Sequence, residues 1–218
     1  MNHLAHVFFA KREPASMIGN LAGNSFKGSV QHHPVPLQES IRVHRHVDAF
    51  TDFHPKVLLC RRLLFPGLGH YGGPVLDVFF DHLLARSWDS FSNEPLETFA
   101  RQAYTLLKKG SALAPWPFSA LLPRMLEANF LLRDRSEEGW RSSVRRMSAE
   151  FRSPFAASAS MDTIDDNRLA IVDAFEEFFP ALIEEMHRFN DALEGRASGP
   201  DREPLSAAQS PAKTRETD

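Results

Sequence analysis

Cysteine is nearly missing from these 218 residues: Cys60 stands alone, so no internal disulfide can form and no thiolate cluster can hold a structural zinc. The opening MNHLAHVFFAKRE lacks the basic start and long apolar core of a secretory signal. Its apolar run from Ala5 to Ala10 falls far short of the roughly 20 residues that span a bilayer. A cytoplasmic protein with no membrane partner is expected. Excess positive charge is also lacking. The formal net charge is -3, which gives no global field for nucleic-acid phosphates and leaves any anion to a local patch. There is no sustained alternation of period two, no Asn-Gly hairpin turn, no G-x-G-x-x-G and no P-loop.

What is present is helical periodicity broken by proline and glycine, with enough apolar content (43%) for one sizeable core. The reading predicts helices near 3–11, 15–28, 37–52, 55–64, 72–88, 95–109, 117–132, 136–150 and 163–193. Ser136, followed by Glu137 and Glu138, reads as an N-cap, as does Asp162, followed by Asp165 and Asp166. An all-α fold follows, with one compact domain over 1–194. From Gly195 onward, Ser, Pro and charge dominate and Leu205 is the one large apolar residue, so 195–218 is expected to be a disordered tail.

Nine of the ten histidines fall in the first 82 residues. In IRVHRHVDAFTDFHP (41–55), His44 and Asp48 are four apart, as are Asp48 and Asp52, with Thr51 between them. That spacing stacks the side chains on one helix face. In LDVFFDHLLARSW (76–88), Asp77 and Asp81 repeat the spacing beside His82, on a helix otherwise almost wholly apolar. Such a helix belongs in the core, where two carboxylates need neutralising. The candidates are arginines (Arg42, Arg45 or Arg86) in a buried ion-pair network, or a divalent cation held between the two helices. Carboxylate and imidazole donors without thiolate suit Mn, Fe or Mg. Such an ion polarises a phosphoryl oxygen and lowers the pKa of a bound water, which is phosphoester chemistry.

The blocks MNHLAH, MIGNLAGNSFKG, RVHRHVDAFTDFHP and LDVFFDHLLARSW, with FEEFFPALIEEM further on, occur in an order and spacing that resembles the acyl carrier protein phosphodiesterase family, a divergent branch of the HD phosphohydrolases. The resemblance runs from Met1 to about Phe189. It implies an all-helical fold and Mn-dependent hydrolysis of the phosphodiester joining 4'-phosphopantetheine to a serine of holo acyl carrier protein. By position it implies His6, Asn24, His44, Asp48, Asp77, Asp81 and His82 as metal ligands or their supports, with Arg45, Thr51, Asp52 and Trp88 among the matching residues. Asp48 and Asp81 are then the candidates for a general base and Arg45 for a phosphate clamp, beside Lys27 and Arg42. Asn24 departs from the family pattern, which has an acidic residue there. Asn can ligate through its carbonyl oxygen but brings neither charge nor basicity.

The expected partner is acyl carrier protein itself, small and acidic. The arginine run of Arg141, Arg145, Arg146 and Arg152 offers it a face. Two rival functions stand beside the leading one: an HD-like phosphohydrolase of another phosphoester, and a non-catalytic carrier-protein binder with a weakened metal site. The glycines at 19, 23 and 28 read as permitting close helix packing, the many phenylalanines as core, and Cys60 as a buried thiol.

Overall fold

The structure, a computed structural model, describes residues 1–151 and 155–197. Within them the chain is helical, with no strand. Eleven α-helices follow one another: α1 (His3–Phe8), α2 (Pro14–Leu21), α3 (Val35–Phe53), α4 (Pro55–Leu68), α5 (Gly72–Arg86), α6 (Leu96–Gly110), α7 (Phe118–Glu127), α8 (Phe130–Arg133), α9 (Glu137–Glu150), α10 (Ala157–Asp166) and α11 (Arg168–Ala197). Short 3-10 turns occupy several of the joints. No helix is long and apolar enough to cross a membrane among these residues.

Most elements start and stop where sequence chemistry places them. Ser136 does cap α9, its hydroxyl accepting from the Gly139 N–H at 3.0 Å. Asp162 does not cap: it lies inside α10, whose first turn begins five residues earlier. Two long helices of the periodic reading are each broken in two. The stretch 117–132 divides at Asn129, which takes the left-handed conformation (φ 50°) that asparagine tolerates. The stretch 163–193 divides at Asn167, and its first piece reaches back to Ala157. Helix α2 ends at Leu21 instead of continuing to 28, giving way to a 3-10 turn at Gly23–Ser25. Helix α4 runs through Pro66 to Leu68, past the expected end at 64. Helix α11 extends to Ala197, three residues into the segment read as tail. The rest of that expectation (198–218), like Arg152 and Pro154, lies outside the described residues.

Helix α1 is buried between α2 and α5, α2 packs along α3, and α11 crosses α3 and α4. The core between them is aromatic. Phe178 of α11 reaches Phe50 and His54 at the end of α3 and Phe80 of α5, while Phe179 meets Phe8 and Phe9 at the end of α1. Trp88 is buried beside Phe8, its indole N–H donating to the Glu94 carbonyl at 2.7 Å. Cys60 is buried, and burial raises its thiol to about 11. This frame fixes α1 and α3 side by side, which brings their histidines together.

Candidate metal centre

His6 projects from α1 and His44 from α3, and their rings stack with centroids 4.1 Å apart. Both are almost wholly buried. Asp48, one turn beyond His44, completes the group: its oxygens lie 3.1 Å from Nε2 of His6 and 3.1 Å from Nε2 of His44. Neither contact is an aligned hydrogen bond, so both ε-nitrogens are buried without a hydrogen-bond partner. The donor atoms of the three residues all fall within 4.8 Å of one another.

That unpaired state would cost free energy in a purely structural cluster. It suits a cation, which takes all three lone pairs at once. The tautomer of His44 is set for it. Nδ1 of His44 lies 2.8 Å from the Asn20 carbonyl, an acceptor only, so Nδ1 carries the proton and Nε2 presents its lone pair. Gly23 makes the approach possible, because a Cβ at that position would overlap the His44 ring. Burial lowers His6 to about 4, which keeps its ring neutral at physiological pH.

A pocket of about 350 Å³ opens beside the triad, lined by Asn24, Lys27, Arg45, His44 and Asp48 among others. Asn24 sits exposed on its wall, in the 3-10 turn after α2. Arg45 clamps that wall, one guanidinium nitrogen donating to the carbonyls of Phe26 and Gly28, each at 2.8 Å. Arg45 and Lys27 have no carboxylate ion-pair partner among the described residues, so they set two cations against the one carboxylate of the pocket lining, Asp48.

The other sequence candidates are elsewhere. Asp77 pairs with the Met1 amino group at 3.2 Å. Asp81 accepts from the Leu4 and Ala5 N–H groups, at 2.7 and 3.3 Å, and so ties down the first turn of α1. Burial pushes its carboxyl up to about 7. His82 points away, with Nδ1 2.7 Å from the Asp134 carbonyl and Nε2 3.5 Å from Glu137. The neutralising partners of the α5 carboxylates are therefore backbone N–H groups and an amine. None of the expected arginines is among them: Arg86 pairs with Glu137 and Arg42 lines a separate pocket beside His46. Asp52 pairs with Arg61 at 2.6 Å, and the Thr51 hydroxyl donates to the Val47 carbonyl. Asn20, buried and bonded to His44, carries no sequence signal that would have marked it as a support.

Comparison with known proteins places the chain in a family. The family model described as acyl carrier protein phosphodiesterase matches residues 1–182. Proteins named acyl carrier protein phosphodiesterase are similar to this chain in several bacteria. That of Yersinia pestis is 30% identical over 186 residues, covering 84% of this chain and 96% of the relative. That of Pectobacterium atrosepticum is 28% identical with the same coverage. That of Photorhabdus laumondii is 26% identical, covering 84% of this chain and 94% of the relative. No solved structure matches the chain.

Proposed function

Since this chain belongs to the acyl carrier protein phosphodiesterase family, we propose that it hydrolyses the phosphodiester linking 4'-phosphopantetheine to serine of holo acyl carrier protein, and that it does so with a divalent ion, manganese, held by His6, His44 and Asp48. The observation that carries the metal reading is the pair of buried, unpartnered ε-nitrogens converging on the Asp48 carboxylate.

The ion, when bound, supplies positive charge to a phosphoryl oxygen and lowers the pKa of a water. This chain's own residues do the rest. Lys27 and Arg45 on the pocket wall counter the phosphodiester charge, and Arg45 also fixes the Phe26–Gly28 backbone against which the substrate lies. Asn24 offers its carbonyl oxygen to the same space. Asp77 and Asp81 support this centre from behind by anchoring the start of α1, which carries His6. The protein acts in the cytoplasm in this reading.

The test is mass spectrometry of holo acyl carrier protein incubated with the purified chain, with and without Mn. Loss of the arm with Mn, abolished by His44→Ala and Asp48→Asn, is expected. No loss under any divalent metal sinks the hydrolytic reading. Asn24 supports a second reading, since it brings no charge to the metal pocket: a binder without turnover, in which Asn24→Asp restores activity.

A further inference from the structure

Helices α7 and α9 do not fill the space between them. Helix α7 packs mainly on α8 and the 3-10 turn at Ser111–Leu113, and α9 packs on α5 and α10. The groove left open measures about 410 Å³. Phe118, Leu121, Met125, Phe130 and Met147 line it, and Leu121 is half exposed. Two methionines give such a surface the softness to fit another protein's side chains.

Three guanidiniums, Arg124, Arg133 and Arg146, stand around this apolar lining, against one carboxylate, Glu150. Arg146 is bonded to the Ser143 hydroxyl and pairs with no carboxylate among the described residues, and Arg124 forms no ion pair there. Burial and the charge of Arg133 both lower the pKa of Arg146. The contrast with the neighbouring arginines is sharp. Arg141 is tied to Asp165 and Glu137, and Arg145 to Glu138. Of the three arginines on α9, Arg146 is thus the one without a carboxylate partner among the described residues, and it lines this groove. An apolar trough with a cationic rim is complementary to an amphipathic helix that carries acidic residues beside its apolar face.

The groove and the candidate metal triad share helix α1. His3 lines the groove, and His6 stands one turn further along α1, about 4.5 Å along the helix axis. We propose that the α7–α9 groove is the seat of an acidic amphipathic helix of the carrier protein, with Arg124 and Arg146 gripping its carboxylates and Leu121 and Met147 its apolar residues. The proposal rests on the carrier-protein reading above for the partner's identity. It places docking in the groove, with Arg146 the one member of the arginine run on α9 that takes part.

The test is binding of apo acyl carrier protein, which has no arm to cleave, to the full chain carrying Arg124→Glu with Arg146→Glu, and separately to the chain carrying Leu121→Glu. All three side chains are exposed, and circular dichroism melting checks that each variant folds. Each variant is expected to weaken binding by at least about tenfold, and the arginine pair also to flatten the salt dependence. With holo carrier protein the loss should appear in KM, with kcat at saturation within about threefold of the parent. An affinity within about twofold of the parent in either variant overturns the proposal, as does a parent chain that does not bind apo carrier protein. A parent that binds the apo form but releases no arm from the holo form removes the hydrolytic reading and leaves the docking surface in place.

Discussion

The imidazole of His44 has room only because residue 23 has no side chain. Gly23→Ala adds a methyl group where the ring lies, so His44 must turn away from Asp48 and the Asn20 carbonyl. Metal affinity should fall about 10- to 100-fold, the usual cost of losing a ligand's orienting contacts. Calorimetric Mn titration of the purified variant reads this directly. His6 carries a pH signature. Burial depresses its folded pKa to about 4 from the usual 6.5, so the unfolded chain takes up a proton that the folded chain refuses. Its contribution is therefore neutral above about 6.5 and becomes progressively destabilising as pH falls from 6.5 to 4. In chelator, urea unfolding of the parent should lose stability across that window. The His6→Gln variant should lose less, and equal slopes would refute the assignment.

At the scale of the element, α1 is only six residues long and has no side-chain cap of its own. A helix so short is marginal without outside help. Asp81, far along the sequence, supplies it by accepting two of the buried N–H groups of its first turn. Asp81→Ala leaves both unpaired, at about 1–3 kcal/mol each. Since α1 also carries His6, the melting temperature and the Mn affinity should fall together. A variant that loses stability while keeping full Mn affinity would separate the two roles.

For the whole molecule, α11 is the clasp. Phe178 bridges the end of α3 and the middle of α5, and Phe178→Ala should cost about 3–5 kcal/mol in equilibrium unfolding. Metal pulls the other way. Mn at 100 times its dissociation constant should add about 2.7 kcal/mol to the parent and nothing to His44→Ala, measured by thermal melting.

The sequence by itself determined the helical class, most helix positions, the cap at Ser136 and the family. Helical period and capping are local properties, and the four N-terminal blocks are legible without a partner in space. The i, i+4 pair of His44 and Asp48 was legible for the same reason. Breaks at Asn129 and Asn167 were not, since asparagine continues a helix or ends one according to what packs around it. Two equivalent-looking aspartate spacings had opposite fates. Asp48 met the imidazole of His6 across α1, while Asp81 met backbone N–H groups of the same helix. Only the packing of α1 between α2 and α5 decided which carboxylate joins the candidate metal triad and which one ties down a helix. A carboxylate's task depends on the charge and lone pairs opposite it, and long-range contact alone brings those into place.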